Sequence, residues 1–467
     1  MIRQFLAAAA CLVTQAASIA PTATPNTWRL DFYHTGGKSG EVFSVDRVVV
    51  EPLAWPGSAR NNVDSTGYGS YFFELRDTTG KVLFSRGYSP IYAEWLSTEE
   101  AATQNRTFHE SLRFPAITGK ADVVVFRRDE SNHFVEAWRT RIDPSDMFID
   151  RSTPKHYDPI PVEVHGDPRT KVDILLLGDG YTAAECAAKF RKDTKRMADV
   201  FFSVEPYKSH RSDFNIWGLC PPSPKSGISR PSTGVHIATP VGATYDIFGS
   251  ERYVLTLDNR AFRNIAANAP YEFVEILANS KTYGGGGLYN IFATVAVDNE
   301  WANYVFIHEF GHHFAALADE YYTSPVSYQT PTNIIEPWEP NVTALKNRNN
   351  LKWQYLVKLG TPVPTPWPKE KFEAAEKSFQ ARRAKIRADK RPESEMSALF
   401  REERGFAEAL LASSPNSKSV GAFQGANYDA QAFYRPSIDC IMFTRDNVPF
   451  CPVCRHTIEG VITAYTR

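Results

Sequence analysis

Long apolar runs are scarce in this chain of 467 residues. Past the N-terminal segment, no stretch approaches the length of a membrane-spanning helix, so integral membrane insertion is not expected. Excess charge is also missing. The formal net charge is −1, which gives no reason to expect nucleic acid or a charged membrane surface as partner. Cysteine is sparse at six, and one of these, Cys11, falls in the N-terminal segment. What is plentiful is core material: 43% hydrophobic and 13% aromatic residues exclude a disordered chain. The length suffices for two or three domains with sizeable cores.

The opening MIRQFLAAAACLVTQAASIAPTATP has one positive residue, Arg3, then a short apolar run, then small residues. It reads as a secretory signal peptide over residues 1–20, cleaved near Ser18 or Ala20, which implies an exported protein, secreted or periplasmic. Cys11 goes with the discarded segment. Cys186, Cys220, Cys440, Cys451 and Cys454 then remain. An odd number in an exported chain implies an unpaired thiol, a metal-bound thiolate or an intermolecular bond.

Residues 21–150 are expected to form a β-sandwich accessory domain. WRLDFYHTG, FSVDRVVVEP, YFFELRD, KVLFSRGYS, ADVVVFRRD and FVEAWRTRI are short β-branched or alternating runs between turn residues. His34, His109 and His133 are scattered singly and are read as structural. A Pro-containing connector, residues 145–168, marks the boundary.

From Lys171 the pattern changes. VDILLLGDGYTAAECAAKF reads as a buried parallel-type strand, a glycine turn, then a helix capped by Thr182. The turn lacks both the Lys-Ser/Thr of a P-loop and a full GxGxxG, which argues against nucleotide binding. DFNIWGL reads as a second strand, YVLTLD as a strand or turn before a helix near 260–267, and YEFVEILANS as an element of either type. Gly284–Gly287 introduce the apolar run LYNIFATVAV. Gly285, Gly286 and Gly287 are candidate substrate-binding positions, because an edge strand without side chains lets an extended peptide add itself to the sheet. A turn before a core strand is nearly as good a reading.

The chemistry concentrates in HEFGHHFAALADEYY, residues 308–322. His308 and His312 are one helical turn apart on one face and can grip a single Zn²⁺. Glu309 then points beside the metal, where it can take a proton from water. WANYVFI anchors the helix, with Asp298 or Asn299 as N-cap, and His313, turned about 100° from His312, is a packing or surface residue. A catalytic zinc needs a third protein ligand. The HExxHxxGxxH pattern fails, with Ala315 and Ala318 at the matching positions. Asp319 is favoured, Glu320 is the rival, and a carboxylate from elsewhere in the chain is a third alternative. On an unbroken helix Asp319 would lie about 10 Å along the axis from His312, so the helix must stop and fold back, although Ala315, Ala316 and Ala318 include no glycine.

Residues of about 368–412, rich in Ala, Glu, Lys and Arg, read as a helical insertion of two solvent-exposed helices broken near Pro392, a surface decoration rather than a flap. Cys440, Cys451, Cys454 and His456 could hold a second, structural zinc. In an exported protein a disulfide from Cys440 to one of the CxxC pair is the favoured arrangement.

Together, GDGYT, PYKSHRSDFNIW, the glycine run with LYNIFAT, HEFGHHFAALADEYY and YRPSIDCIMFTRDNVPFCPVC resemble the IgA-peptidase-type family of secreted bacterial zinc metallopeptidases. The resemblance spans roughly residues 150–467, and the β-rich segment is similar to the module that often precedes that domain. It implies a metzincin-like α/β zinc peptidase domain over residues 151–467 and zinc-dependent hydrolysis of protein or peptide. It carries zinc ligation to His308 and His312 and the general base to Glu309, and it suggests the third ligand within Asp319–Glu320. Met442 stands where a methionine turn would floor the zinc, and Tyr434 is a candidate phenol donor to the oxyanion. No particular substrate transfers with the resemblance.

Overall fold

The computed structural model describes residues 26–58, 61–323 and 334–466; the segment read as a signal peptide, residues 1–20, lies outside them. An N-terminal domain rich in antiparallel sheet comes first. Strands β1 (Asn26–Gly37), β2 (Gly40–Ala54), β3 (Tyr71–Asp77), β4 (Val82–Tyr88), β5 (Arg106–Pro115), β6 (Ala121–Arg128) and β7 (Phe134–Ile142) build two sheets, ordered β2-β1-β5 and β4-β3-β6-β7. Leu30, Phe32 and Phe114 of the first sheet meet Phe73, Leu75 and Val123 of the second in one core. Strand β5 is not evident in the sequence. Its RTFHESLRFP run looks too polar for a strand that pairs along its whole length with the buried β1. In the fold those polar groups are matched: Ser111 donates to Asp31 at 2.6 Å and Arg113 bonds Glu51 at 2.9 Å.

A mixed α/β domain follows. Strands β8 (Ile160–Glu163), β9 (Val172–Asp179), β10 (Phe214–Leu219), the small β11 (Ala243–Thr244) and β12 (Leu255–Thr256) ladder, β13 (Phe273–Ala278), β14 (Gly285–Leu288) and β15 (Phe292–Ala296) come next. Six of them form a sheet ordered β14-β15-β13-β9-β10-β8, parallel within except for its two edge strands. Strand β8 lies within the presumed connector. YEFVEILANS resolves to a strand because β13 is buried along its whole length between β9 and β15. Strand β9 is likewise buried at every position. Ile174 and Leu176 face a core that contains the motif helix, and Leu175 and Leu177 face the core shared with the N-terminal domain. That alternation explains the unbroken apolar run, since both faces of the strand need hydrophobic cover.

After β9, Thr182 and Glu185 form a reciprocal capping box at the start of the next helix. The GDGYT turn binds its own chain rather than a phosphate: the buried Asp179 carboxylate accepts the N–H groups of Val241 (3.1 Å) and Ala243 (2.8 Å) and the hydroxyl of Thr239 (2.7 Å). The helices Lys369–Ala388 and Glu393–Ala412 meet at Pro392, which caps the second. They are not a solvated decoration. Phe372, Phe379, Met396, Leu399 and Phe400 are buried in the core that contains the motif helix, a face the charge-rich composition hid. Strands β16 (Phe423–Ala426) and β17 (Asp429–Arg435) make a hairpin, and Pro452–Thr466 closes the chain as a helix.

Cys186 and Cys220 form a disulfide. The bridge expected from Cys440 does not form: its sulfur stands 3.9 Å from that of Cys454, far beyond the ~2.05 Å of an S–S bond. His456 does not join these thiols. Two residues along a helix rotate a side chain by about 200° from Cys454, and His456 instead lies exposed beside Tyr355.

Candidate metal centre

The motif helix runs Ala302–Ala315. Its N-cap is Trp301 rather than Asp298 or Asn299, because the Asn299 side chain accepts the Trp301 N–H at 2.9 Å from one turn outside the helix. At the other end Ala316 adopts the left-handed conformation, φ 56° and ψ 29°, and its N–H returns to the His312 carbonyl at 3.1 Å. The same N–H is shared with the Gly311 carbonyl, which also accepts the Leu317 N–H at 3.4 Å, so a left-handed cap closes the helix here without glycine. It turns the chain back within three residues.

The reversal brings Asp319 to the histidines. Its Oδ1 stands 2.9 Å from His308 Nε2 and 3.2 Å from His312 Nε2, and the two Nε2 atoms are 3.2 Å apart. The far nitrogen of each ring faces a carbonyl: His308 Nδ1 donates to Ile441 O at 2.9 Å, and His312 Nδ1 donates to Leu317 O. A carbonyl only accepts, so each Nδ1 carries the proton and each Nε2 presents a lone pair in the neutral ring. Two lone pairs and a carboxylate oxygen at such separations repel unless a cation, a proton or a metal ion, sits among them. Ligand atoms at tetrahedral zinc are spaced by about 3.3 Å, from Zn–N and Zn–O bonds near 2.0–2.1 Å. The donor set therefore fits a zinc ion.

Charge responds to the same crowding. Burial works against the imidazolium of His312, yet Asp319 beside it wins and lifts its pKa to about 9. Burial alone would raise Asp319, but the two imidazoles hold it well below the usual carboxylate range. Glu309 is pushed up, chiefly by burial, with His308 and His312 opposing.

A cleft of about 510 Å³ opens over these residues, with Glu309, His312 and Asp319 in its wall. Part of its rim, including Ser89, Ala93 and Glu94, comes from the N-terminal domain. The opposite wall includes Gly285 and Gly287 of edge strand β14. A Cβ on Gly285 would lie 2.5 Å from Val305 Cγ1, and one on Gly287 would lie 2.4 Å from the Glu309 carbonyl, so only glycine lets this strand lie against the motif helix. Not all three glycines offer a free edge. Gly285 already bonds outward to Arg252 O and Val254 N, each at 3.1 Å, and Gly286 pairs inward with Thr294 of β15. Alternation along the strand turns the backbone groups of Gly287 outward.

Met442 is buried beneath the helix, its sulfur 3.0 Å from where a Gly311 Cβ would stand. His313 is also buried, with Nδ1 donating to Leu288 O (3.0 Å) and Nε2 accepting from Val274 N (3.1 Å), a packing role. Glu320 turns away from the histidines toward Cys454. Tyr434 does not reach the cleft. Its backbone pairs with Thr343 and its ring packs half-buried against the core.

Of the four tyrosines that line the cleft, Tyr253, Tyr289, Tyr321 and Tyr428, the last two are tied to Arg252 and Asp319. Tyr428 donates its hydroxyl to Asp319 Oδ2, and Arg252 bonds the Tyr321 hydroxyl at 3.3 Å. Tyr428 sits in the β16–β17 turn, where it and Asn427 both have positive φ (63° and 50°), and its N–H bonds Tyr321 O while that of Asn427 bonds Asp319 O. A tyrosine in that conformation is strained by roughly 1–2 kcal/mol, held here by those bonds. Arg252, Tyr321 and Tyr428 went unread because they come from three separate segments; the one local cue is the hairpin turn itself.

Two family models match the chain: IgA Peptidase M64 over residues 160–462 and Peptidase M64 N-terminus over residues 21–139. The fold and site thus define a peptidase with an antiparallel-sheet module ahead of its α/β domain. The chain belongs to the IgA peptidase M64 family. Comparison with curated proteins returned no match.

Proposed function

We infer that this peptidase is a zinc-dependent endopeptidase in which His308, His312 and Asp319 hold the metal and Glu309 is the general base. The observation that carries the reading is the meeting of two outward-locked Nε2 lone pairs and one carboxylate oxygen within 2.9–3.2 Å, at the wall of an open cleft. A zinc ion held there would polarise the scissile carbonyl and acidify a water.

The protein's own groups do the rest. Glu309, with its pKa raised by burial, takes the proton of the attacking water and returns it to the leaving amine. Arg252 and Tyr321 supply a guanidinium and a phenol to the same wall, where negative charge would develop on the carbonyl oxygen. These two take the role first considered for Tyr434. An extended protein or peptide substrate would pair with the outward backbone of Gly287. Met442 supports the helix from below. Residues 21–150 act as the accessory domain and 151–467 as the catalytic one, with the accessory domain lending part of the cleft rim. The Cys186–Cys220 disulfide supports maturation in an oxidising, extracytoplasmic compartment. No helix among the described residues is long and apolar enough to cross a membrane.

Glu309→Gln is expected to keep fold and zinc content while hydrolysis of an unfolded protein substrate falls by about 10²–10⁴. Activity persisting in a variant purified free of contaminating protease would refute the assignment.

A further inference from the structure

We propose that Glu320, Cys440, Cys451 and Cys454 form a second zinc site, closed and structural, that fixes the parts of the catalytic centre not borne by the motif helix. Each of the four offers a ligand atom, and these atoms all lie within 4.8 Å of one another. The Cys440 and Cys454 sulfurs are 3.9 Å apart, and Cys454 Sγ is 3.3 Å from Glu320 Oε1. Tetrahedral zinc with Zn–S bonds near 2.3 Å spaces its sulfurs by about 3.8 Å, and a sulfur and an oxygen by roughly 3.5 Å. The cluster already has the size of a coordination shell.

Its chemistry is hard to explain without a cation. All four side chains are buried, with Glu320, Cys440 and Cys454 fully so. Glu320 Oε1 accepts a bond from Asn341 at 3.0 Å, but Oε2 has no hydrogen-bond partner among the described residues. A carboxylate left half-satisfied in a dry interior is strongly unfavourable. A disulfide between any two of the thiols would leave Glu320 without a bonded counter-charge, because the nearby Arg435 guanidinium bonds the carbonyls of Gly425 and Ile438 instead. The sulfurs instead receive backbone donors suited to thiolates: Cys451 N–H points to Cys440 Sγ at 3.2 Å, and Cys454 N–H to Cys451 Sγ at 3.5 Å. Three thiolates and one carboxylate make a soft, four-point set with no position left for substrate, and none of the four lines the cleft.

The site's position gives it a purpose. Asp319 and Glu320 are neighbours that point opposite ways, one to the histidines and one to the thiols. Cys440 is followed by Ile441, whose carbonyl holds His308 Nδ1, and by Met442, whose carbonyl accepts the Glu320 N–H at 2.8 Å. Clamping Glu320 to Cys440 therefore fixes the third ligand, one imidazole orientation and the floor of the centre together.

The test is metal content of the full chain purified without chelator, for wild type, the His308→Ala/His312→Ala variant and the Cys451→Ser/Cys454→Ser variant. Two zinc ions are expected in wild type and one in the histidine variant. Cobalt exchanged into the histidine variant should show thiolate-to-metal charge-transfer absorption. Should the cysteine variant fail to fold, the histidine variant carries the test alone, since it leaves the cluster intact. A wild type with one zinc that vanishes in the histidine variant overturns the proposal, as does a disulfide among the three thiols in denatured, unreduced protein. One zinc lost only from the cysteine variant upholds the cluster and removes the catalytic assignment instead, so the two readings fail separately.

Discussion

At Asp319 a single side chain meets both histidines of the proposed metal site. Its Oδ1 is shared with His308 and His312, while its Oδ2 takes the Tyr428 hydroxyl, so it is oriented from both sides. Asp319→Ala is expected to lose the zinc of the histidine site after dialysis, and Tyr428→Phe to weaken that zinc's binding about 10-fold, measured as zinc affinity against a competing chelator. Unchanged affinity in both would move the third ligand elsewhere. His34 makes a different residue-scale case. It is buried between Glu110 (3.3 Å) and Glu41 (3.0 Å) and stacks on Tyr92. Burial lowers its pKa, but the two carboxylates outweigh it and raise the folded value above 6.5. The folded state thus holds its proton more tightly than the unfolded chain. The stabilisation is complete below pH 6.5 and is lost as pH rises through the folded pKa. Denaturation midpoints should fall on the alkaline side of neutrality in wild type, and His34→Gln should flatten that dependence.

The element that sets the centre is the end of the motif helix. Alanine at φ 56° is strained relative to glycine, and the strain is tolerated because the turn must occur before Asp319. Ala316→Gly should therefore stabilise by about 0.5–1 kcal/mol, read from urea denaturation, with zinc content unchanged. A loss of stability would mean that the left-handed turn is not retained in solution. Strand β14 shows a complementary constraint. Gly285 and Gly287 serve first to let the strand approach the helix, and while the outward backbone of Gly285 is taken by Arg252 and Val254, that of Gly287 faces the cleft. A periodicity argument weighs each element alone, so it could not separate these two uses. The pair Lys369–Ala388 and Glu393–Ala412 failed for the same reason, because a few buried aromatics among many charges look solvated until the partner surface is known.

Across the molecule, the two domains share a core and a polar seam. Leu175 and Leu177 of the α/β sheet lie in the same cluster as Leu30 and Phe114. Arg113 of β5 binds the buried Glu51 and donates to Tyr271 O at 2.9 Å while lying 3.6 Å over that ring. The accessory domain is thereby part of the wall around the cleft. Far from this seam, Cys186–Cys220 closes a loop with a sequence separation of 34. Loop-closure entropy assigns such a bridge about 3–4 kcal/mol, so Cys186→Ser/Cys220→Ser should lose that much in reversible denaturation while retaining zinc. A difference below about 1 kcal/mol would mean that the unfolded chain is already constrained there.

Sequence alone determined what short-range geometry can encode. Histidines four apart share a helix face, Glu309 stands beside them, Thr182 caps a helix, and alternating or continuous apolar runs mark strands by how many faces they must bury. Only the tertiary structure decided which carboxylate of Asp319–Glu320 meets the imidazoles, which phenols line the cleft, and which cysteines pair. Those outcomes depend on chain reversal and on separate segments meeting in space: Asp319 and His308 are 11 residues apart, Cys186 and Cys220 are 34 apart, and Asp319 and Tyr428 are 109 apart. Local spacing carries no information about such meetings, because chain reversal and long-range packing bring them about.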